Sequence, residues 1–387
     1  MNRLGLCVNY NCNNYGSMLQ IFATQKIIEN YKWNYEIIQY NKRTWSFCLK
    51  NIFRIFNINF MHDKIMRMER EIKFLRYPNI RNGDIKRKER FREFRKKYLG
   101  PYSSIKKGYG QLRRAAENYQ AVMVGSDQLW LPAGLGSKFY TLQFVPDHIR
   151  KISFATSFGI NAIPGYQIKR TREYLKRIEH ISVREVCGRK IIKELTGRES
   201  TIALDPTLMF SGYEWDQWFP WNKVINQPYI FAYLLGNNAE NRAVIKKFAR
   251  QNDLIMVTCP HLDQFVHKDL SFGEKQLFDI SPIDFLNLIR NAEYICTDSF
   301  HGTVFSILYH KRFVSFSRFA SNEKLSTNNR IESLLNLLGL CDRIYHNNVM
   351  DFKEWAEKHI DYDNVEKKLN ILRKETSEFL DHALETD

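Results

Sequence analysis

Five polar clusters in this chain combine residue types that can hold an anion, move a proton or grip a hydroxyl. His301 stands in Thr297-Asp298-Ser299-Phe300-His301-Gly302-Thr303, between the apolar runs Tyr294-Ile295-Cys296 and Val304-Phe305. An imidazole at a strand-to-helix turn can donate to an anion or deliver a proton near neutral pH. Arg184 leaves the short run Ile181-Ser182-Val183 and precedes Glu185. A guanidinium there can grip a carboxylate or phosphate with two parallel hydrogen bonds; the plainer reading is an Arg184–Glu185 surface pair or an interdomain salt bridge. Asp127 follows Gly125-Ser126 and precedes Gln128-Leu129-Trp130. Asp127 can act as a general base, although a turn or helix-capping aspartate is the commoner role. The remaining clusters are Asn9 to Ser17 and Ser153 to Gly159. The first sets Tyr15, Gly16 and Ser17 at a helix start, where backbone N–H groups favour an anion or a sugar. The second offers Ser157, whose ordinary role is a local turn bond.

These residues need elements to position them. Apolar, β-branched runs predict strands at Arg3–Val8, Glu36–Tyr40, Ala121–Val124, Lys151–Thr156, Ile181–Val183, Thr201–Ala203, Tyr229–Leu235, Leu254–Val257, Glu293–Thr297 and Phe313–Phe316. Helical patterns fall between them, over Ser17–Tyr31, Gln167–Ile178, Glu185–Leu195, Ala239–Arg250, Ile283–Arg290, Gly302–Tyr309 and Ile331–Leu338. Alternation at this spacing predicts an α/β protein with parallel sheets. The pattern breaks at Phe219-Pro220-Trp221-Asn222. We therefore expect two doubly wound, Rossmann-like domains, residues 1–220 and 221–345. A last helix, within 346–387, packs back across both. Ligands of such sheets sit at the carboxyl ends of strands.

Residues 43–115 do not fit the alternation and are read as a helical insertion in the first domain. It begins with the apolar-aromatic stretch Trp45 to Phe60 and then turns basic. The chain of 387 residues carries a net charge of +16, and Met61–Ala115 alone holds 18 Lys and Arg against six acids. Two readings stay open: a segment lying on an anionic membrane surface, or a hairpin packed on the first domain with a solvated basic face. Nucleic acid fits poorly, since no known binding motif appears. With 44% hydrophobic and 26% charged residues, the composition is globular and excludes a disordered or collagen-like chain. No apolar run reaches about 18 residues, and the first apolar run is too short for a signal peptide. The expected place is the cytoplasm, peripheral on the inner face of the plasma membrane if the insertion binds lipid. Seven scattered cysteines make no disulfide framework and no metal spacing, so no metal is expected. Asp361-Tyr362-Asp363 reads as helix capping.

Taken in order, Asn14-Tyr15-Gly16-Ser17, Gly125-Ser126-Asp127-Gln128-Leu129-Trp130, Ser182-Val183-Arg184-Glu185, Leu204-Asp205-Pro206-Thr207, Thr297-Asp298-Ser299-Phe300-His301-Gly302 and Asn329-Arg330-Ile331 resemble the polysaccharide pyruvyl transferase family. The resemblance spans roughly Arg3 to Arg343. It implies a GT-B-like pair of domains and transfer of a pyruvyl group from phosphoenolpyruvate to a sugar hydroxyl pair, in a cell-surface or capsular polysaccharide. Phosphoenolpyruvate is then the donor substrate and no other cofactor is expected; the acceptor is a sugar or lipid-linked oligosaccharide. His301, Asp127 and Asp298 become the catalytic candidates. Arg184, Arg330, Ser126, Gln128, Tyr15, Gly16, Ser17, Ser157, Ser299, Gly302 and Asn329 become the binding candidates. For Arg330 the plainer role is a helix-capping or solvated loop arginine. A sugar-nucleotide glycosyltransferase on the same fold is the alternative, and an inactive capsule-assembly scaffold a weaker one.

Overall fold

The computed structural model describes residues 2–42, 68–318, 329–346 and 351–385. Among these, two six-stranded sheets form, and every strand pair in them is parallel. The first sheet takes β1 (Arg3–Cys7), β2 (Asn34–Ile37), β5 (Ala121–Val124), β6 (Arg150–Thr156), β7 (His180–Val183) and β8 (Thr201–Ile202), in the order β2-β1-β5-β6-β7-β8. Its central strands are apolar runs because helices cover both faces; all four residues of β5 are buried. A two-stranded ribbon, β3 (Tyr40–Asn41) with β4 (Lys106–Lys107), lies beside it.

The second sheet takes β9 (Tyr229–Tyr233), β10 (Ile255–Thr258), β11 (Lys275–Gln276), β12 (Tyr294–Thr297), β13 (Arg312–Phe316) and β14 (Ile344–Tyr345), in the order β11-β10-β9-β12-β13-β14. This is the Rossmann order, reversing between β9 and β12; the first sheet reverses between β1 and β5. At each reversal the loops after two neighbouring strands diverge and leave a crevice for a ligand.

Helix α1 (Tyr15–Asn30) is buried on nearly every side because it lies between the two halves. It packs on α8 (Pro282–Asn291) and α9 (Phe300–Leu308) of the second domain. Tyr15 stacks on Phe285 at 5.1 Å and 5°, and meets Phe91 and Tyr233. One apolar cluster runs from Leu4 and Met18 through Trp215 to Phe305 and Leu335, so the two halves share a core.

The insertion begins its described part as a helical turn series over 68–76 and continues as α2 (Pro78–Tyr98) and α3 (Gly108–Ala116). The stretch from Trp45 to Phe60 lies outside the described residues. The described part does not rest on the first domain alone. Phe74 and Ile80 pack on Leu262 of the second domain, with Phe265 and Phe278 alongside. Gly83 comes so close that a Cβ there would lie 2.3 Å from the Phe278 Cβ. Buried Asp84 gathers Arg70 (2.8 Å), Arg87 (3.1 Å) and Lys88 (2.6 Å). Arg87 then reaches Asp263 at 2.7 Å in the second domain and the Asn13 carbonyl at 3.3 Å in the first. The arm therefore ties the halves together.

The expected single C-terminal helix is two: α11 (Phe352–Glu357), on the second domain, and α12 (Tyr362–Leu384). Asp361 caps α12 by accepting from the Asn364 N–H. Helix α12 then crosses to the first domain, where Arg373 donates to the Leu208 carbonyl and Thr376 accepts from the Leu204 N–H.

Tyr15 is the aromatic hinge of the shared core. Tyr15→Ala is expected to cost about 3–5 kcal/mol of unfolding free energy, read as a lowered denaturation midpoint, and Tyr15→Phe much less. Equal losses would assign the role to the hydroxyl instead of the stacked ring.

Candidate functional site

The site is organised by a carboxylate. Asp205 follows β8, where Pro206 starts a single 3₁₀ turn, and its side chain is buried. Its Oδ1 accepts from the Thr207 N–H at 3.1 Å and the Thr207 hydroxyl at 2.6 Å. Its Oδ2 accepts from Ser126 Oγ at 3.0 Å and Arg184 Nη1 at 2.6 Å. The His301 Nε2 lies 3.6 Å from the same oxygen, too far for a hydrogen bond but close enough for charge to act. Burial pushes the Asp205 carboxyl up; His301, then Arg184 and Thr207, outweigh it and hold it well below the usual carboxylate range.

Arg184 does not pair with Glu185. It turns inward at the tip of β7 onto Asp205, and its guanidinium carbon sits 4.1 Å from the Phe300 ring centre, a cation–π distance. Its Nε and Nη2 are buried without a partner among the described residues. Glu185 turns the other way and is fully buried; its Oε1 accepts from Ser157 Oγ at 3.0 Å, the Phe158 N–H at 2.9 Å and the Gly159 N–H at 3.3 Å.

His301 lies in the first turn of α9, behind the cap made by Ser299, and its side chain is buried against α1. A Cβ at Gly16 would lie 2.1 Å from His301 Nδ1. Gly16 thus serves by having no side chain: it lets the imidazole of one domain lie against the helix of the other. His301 Nε2 has no hydrogen-bond partner among the described residues.

In front of this group is a cavity of about 320 Å³ between the domains. It opens where the sheets reverse: Asn9, Cys12, Asn14 and Ser17 come from the β1 side, Asp127 and Gln128 from β5, Leu235 from β9, and Ser299, Phe300 and His301 from β12. Arg318 and Arg330 line it as well. Arg330 is neither a capping nor a solvated loop residue. It is buried in the first turn of α10 (Asn329–Leu338), and its Nε lacks a partner among the described residues. Burial, then the like charges of Arg184 and Arg318, push its guanidinium down to about 9. It remains a cation at neutral pH, held where a bound anion would be strongly favoured. Arg184 stands one layer deeper than the cavity wall, behind Phe300.

Asp127 lines the cavity with an unusual backbone, φ +86°. Its Oδ2 accepts from Ser17 Oγ at 2.6 Å, and its Oδ1 accepts from the Gln128 N–H at 2.8 Å. Gln128 Nε2 is buried without a partner among the described residues. Cys12 is also at the wall; burial and then the charge of Asp127 push its thiol up to about 11, which disfavours the thiolate.

The other named residues sit elsewhere. Asp298 accepts from the Leu235 and Gly236 N–H groups, each at 2.7 Å, so both oxygens hold the β9 loop. Tyr15 is in the interdomain core. Ser126 and Ser157 are spent on Asp205 and Glu185. Gly302 lies so close to Thr297 that a Cβ would be 2.5 Å from its Oγ1. Asn329 bridges the domains, donating to Asn161 Oδ1 at 2.9 Å and to Cys187 Sγ at 3.1 Å. Asp205, Glu185, Phe300 and Arg318 were not among the residues expected to act in the site. For Asp205 a signal existed: a buried Arg184 needs a counter-charge, and an aspartate before proline follows the next strand.

The fold and site define a two-domain α/β protein of GT-B-like form with a cationic cleft between its domains. A model of the polysaccharide pyruvyl transferase family matches residues 14–318. The chain belongs to that family. Among solved structures, a Listeria monocytogenes protein provisionally described as a UDP-N-acetylglucosamine 2-epimerase aligns with TM-score 0.51 at 10% identity, covering 100% of this chain and 97% of that one. The S. aureus MnaA–UDP structure aligns with TM-score 0.50 at 10% identity, covering 98% and 91%. At such identity the likeness is one of fold. No curated protein matches the chain.

Because the folded Asp205 carboxyl titrates below its unfolded range, its ion pair contributes stability that is complete above about pH 4 and is lost as pH falls towards the depressed folded value. Asp205→Ala leaves the buried Arg184 uncompensated and is expected to cost about 3–5 kcal/mol at pH 7. In denaturant titrations the gap between wild type and variant narrows below about pH 4. A gap independent of pH would remove charge from the explanation.

Proposed function

We propose that the protein transfers the pyruvyl group of phosphoenolpyruvate to two hydroxyls of a sugar, forming a cyclic ketal in a bacterial cell-surface or capsular polysaccharide. One observation carries this reading. His301 and Arg330 line the interdomain cavity, each with a buried nitrogen that lacks a partner among the described residues, and Arg184 of the other domain stands behind Phe300 with two more. Leaving such donors unsatisfied is costly; a small dianion or trianion in the cavity would meet His301 and Arg330 directly and Arg184 through its field. Phosphoenolpyruvate carries a carboxylate and a phosphate on one carbon, pointing in different directions, and so suits cations presented from two sides. The family match supports the pyruvyl chemistry.

The residues distribute the steps. Arg330 and Arg318 face the donor's charges. Arg184, held by Asp205 and stacked on Phe300, adds positive potential from behind. His301 delivers a proton to the donor's methylene carbon as the first sugar hydroxyl adds to the neighbouring carbon. Phosphate leaves, and the second hydroxyl closes the ketal. Of the two hydroxyl protons, one replaces the proton given to carbon and the other departs with phosphate. Asp127, bonded to Ser17, is placed to take a proton from an acceptor hydroxyl. Asn9, Asn14 and Gln128 supply polar contacts on that side of the cleft. The cationic residues stabilise the charge of departing phosphate.

Calorimetric titration with phosphoenolpyruvate is expected to show binding to the wild type, and at least tenfold weaker binding to Arg330→Ala. His301→Ala is expected to retain a fold and lose turnover by about 10²–10⁴-fold. Stabilisation by a UDP-sugar with no response to phosphoenolpyruvate would overturn the donor assignment. Gly16→Ala displaces the His301 ring by its clash, and kcat is expected to fall about 10²-fold while the circular dichroism spectrum is kept. A wild-type kcat would show that the contact does not position the imidazole.

A further inference from the structure

The insertion carries a second feature that the cleft does not use. On the helical stretch 68–76, Met68, Ile72 and Leu75 are 64%, 59% and 66% exposed. Their spacing of four and three residues places them on one stripe. Phe74, on the other side of the same stretch, is buried against Leu262. Helix α2 repeats the arrangement: Ile80 and Gly83 face the second domain, while Ile85 is exposed. Both helices lay their inner sides on the same patch around Leu262, Phe265 and Phe278, so both outer sides point away from that domain.

The surroundings of the stripe are cationic. Residues 68–98 hold 12 Lys and Arg against five acids. Two of those acids, Glu69 and Glu71, are paired with Lys73 and Arg70 of the same helical stretch. Arg76, Arg81, Lys86 and Lys96 form no ion pair among the described residues. At 100° per residue, Arg81, Ile85 and Lys96 share the outward face of α2. An exposed apolar stripe flanked by unpaired cations is the makeup of an interfacial anchor. A second copy of the chain would set this cationic face against another of the same sign; an anionic surface complements it.

We propose that this arm docks the protein on an anionic phospholipid bilayer, with Met68, Ile72 and Leu75 entering the headgroup boundary and the cations meeting lipid phosphates. The arm stands beside the cleft: Leu262 and Phe265 follow the carboxyl end of β10, and Arg87 and Arg95 hold the carbonyls of Asn13 and Cys12 at the cavity edge. Docking there brings the acceptor side of the cleft to the membrane, where an oligosaccharide on a lipid carrier would be found. The docking stands whichever donor the cleft takes.

The test is cosedimentation of the full chain with vesicles of phosphatidylcholine alone and with phosphatidylglycerol added, beside the triple variant Met68→Ser, Ile72→Ser, Leu75→Ser. The wild type is expected to bind the anionic vesicles and to be released by salt. The triple variant is expected to bind at least about tenfold more weakly with unchanged thermal midpoint and unchanged phosphoenolpyruvate titration. No binding to anionic vesicles would overturn the proposal, and so would equal binding by the variant. Loss in the variant of a dimer seen by sedimentation velocity, without change in vesicle binding, would assign the stripe to self-association. The donor titration separates these outcomes from failure of the cleft reading.

Discussion

A single buried carboxylate sets the geometry of the cleft. Asp205 cannot sit in an apolar interior unless its charge is met, and the chain meets it from several directions. Thr207 bonds it locally, Ser126 reaches it from the β5 loop, Arg184 from the tip of β7, and His301 faces it from the second domain. Each of these groups leaves a different strand end. Satisfying Asp205 therefore fixes the relative placement of three loops of one sheet and one of the other. The cations are not consumed in doing so. Arg184 spends one nitrogen on Asp205 and keeps two without partners among the described residues.

The shared interface makes this arrangement rigid enough to matter. Helix α1 is buried between the halves, Tyr15 stacks with Phe285 across it, and Gly16 leaves room for His301. The arm and α12 add two further ties on opposite parts of the chain. Cations of like sign repel, and a cleft that gathers Arg184, Arg318, Arg330 and His301 needs such bracing. Burial and that repulsion both act against the charge of Arg330, and an anion in the cavity would offset both.

Much of the framework was legible in the sequence because parallel strands buried on both faces read as plain apolar runs. Ala121–Val124 matches its strand at both ends, and Tyr294–Thr297 and Arg312–Phe316 differ by one residue. The edge strands Lys275–Gln276 and Ile344–Tyr345 are two residues long, and the first is polar, so they left no pattern. The motif residues were legible as types and spacings, but their partners were not. A sequence shows Arg184 beside Glu185; it does not show that successive side chains diverge, one to Asp205 and the other to Ser157 and the Phe158 amide. Nor does it show that Tyr15 and Asp298 face away from the cavity, since the stacking partner of Tyr15 lies in the other half of the chain and the amides that Asp298 binds lie on a different strand loop. The basic insertion was visible as charge, while its contact with the second domain depends on Phe265 and Phe278, nearly two hundred residues away.

The most direct measurement is a crystal structure of the protein grown with phosphoenolpyruvate. The account predicts the ligand in the interdomain cavity, with its phosphate and carboxylate oxygens within hydrogen-bond distance of Arg330 and the His301 Nε2. Its methylene carbon would lie on the imidazole side. Phosphoenolpyruvate bound elsewhere, or a cavity whose His301 and Arg330 stay apart from it, would contradict the account.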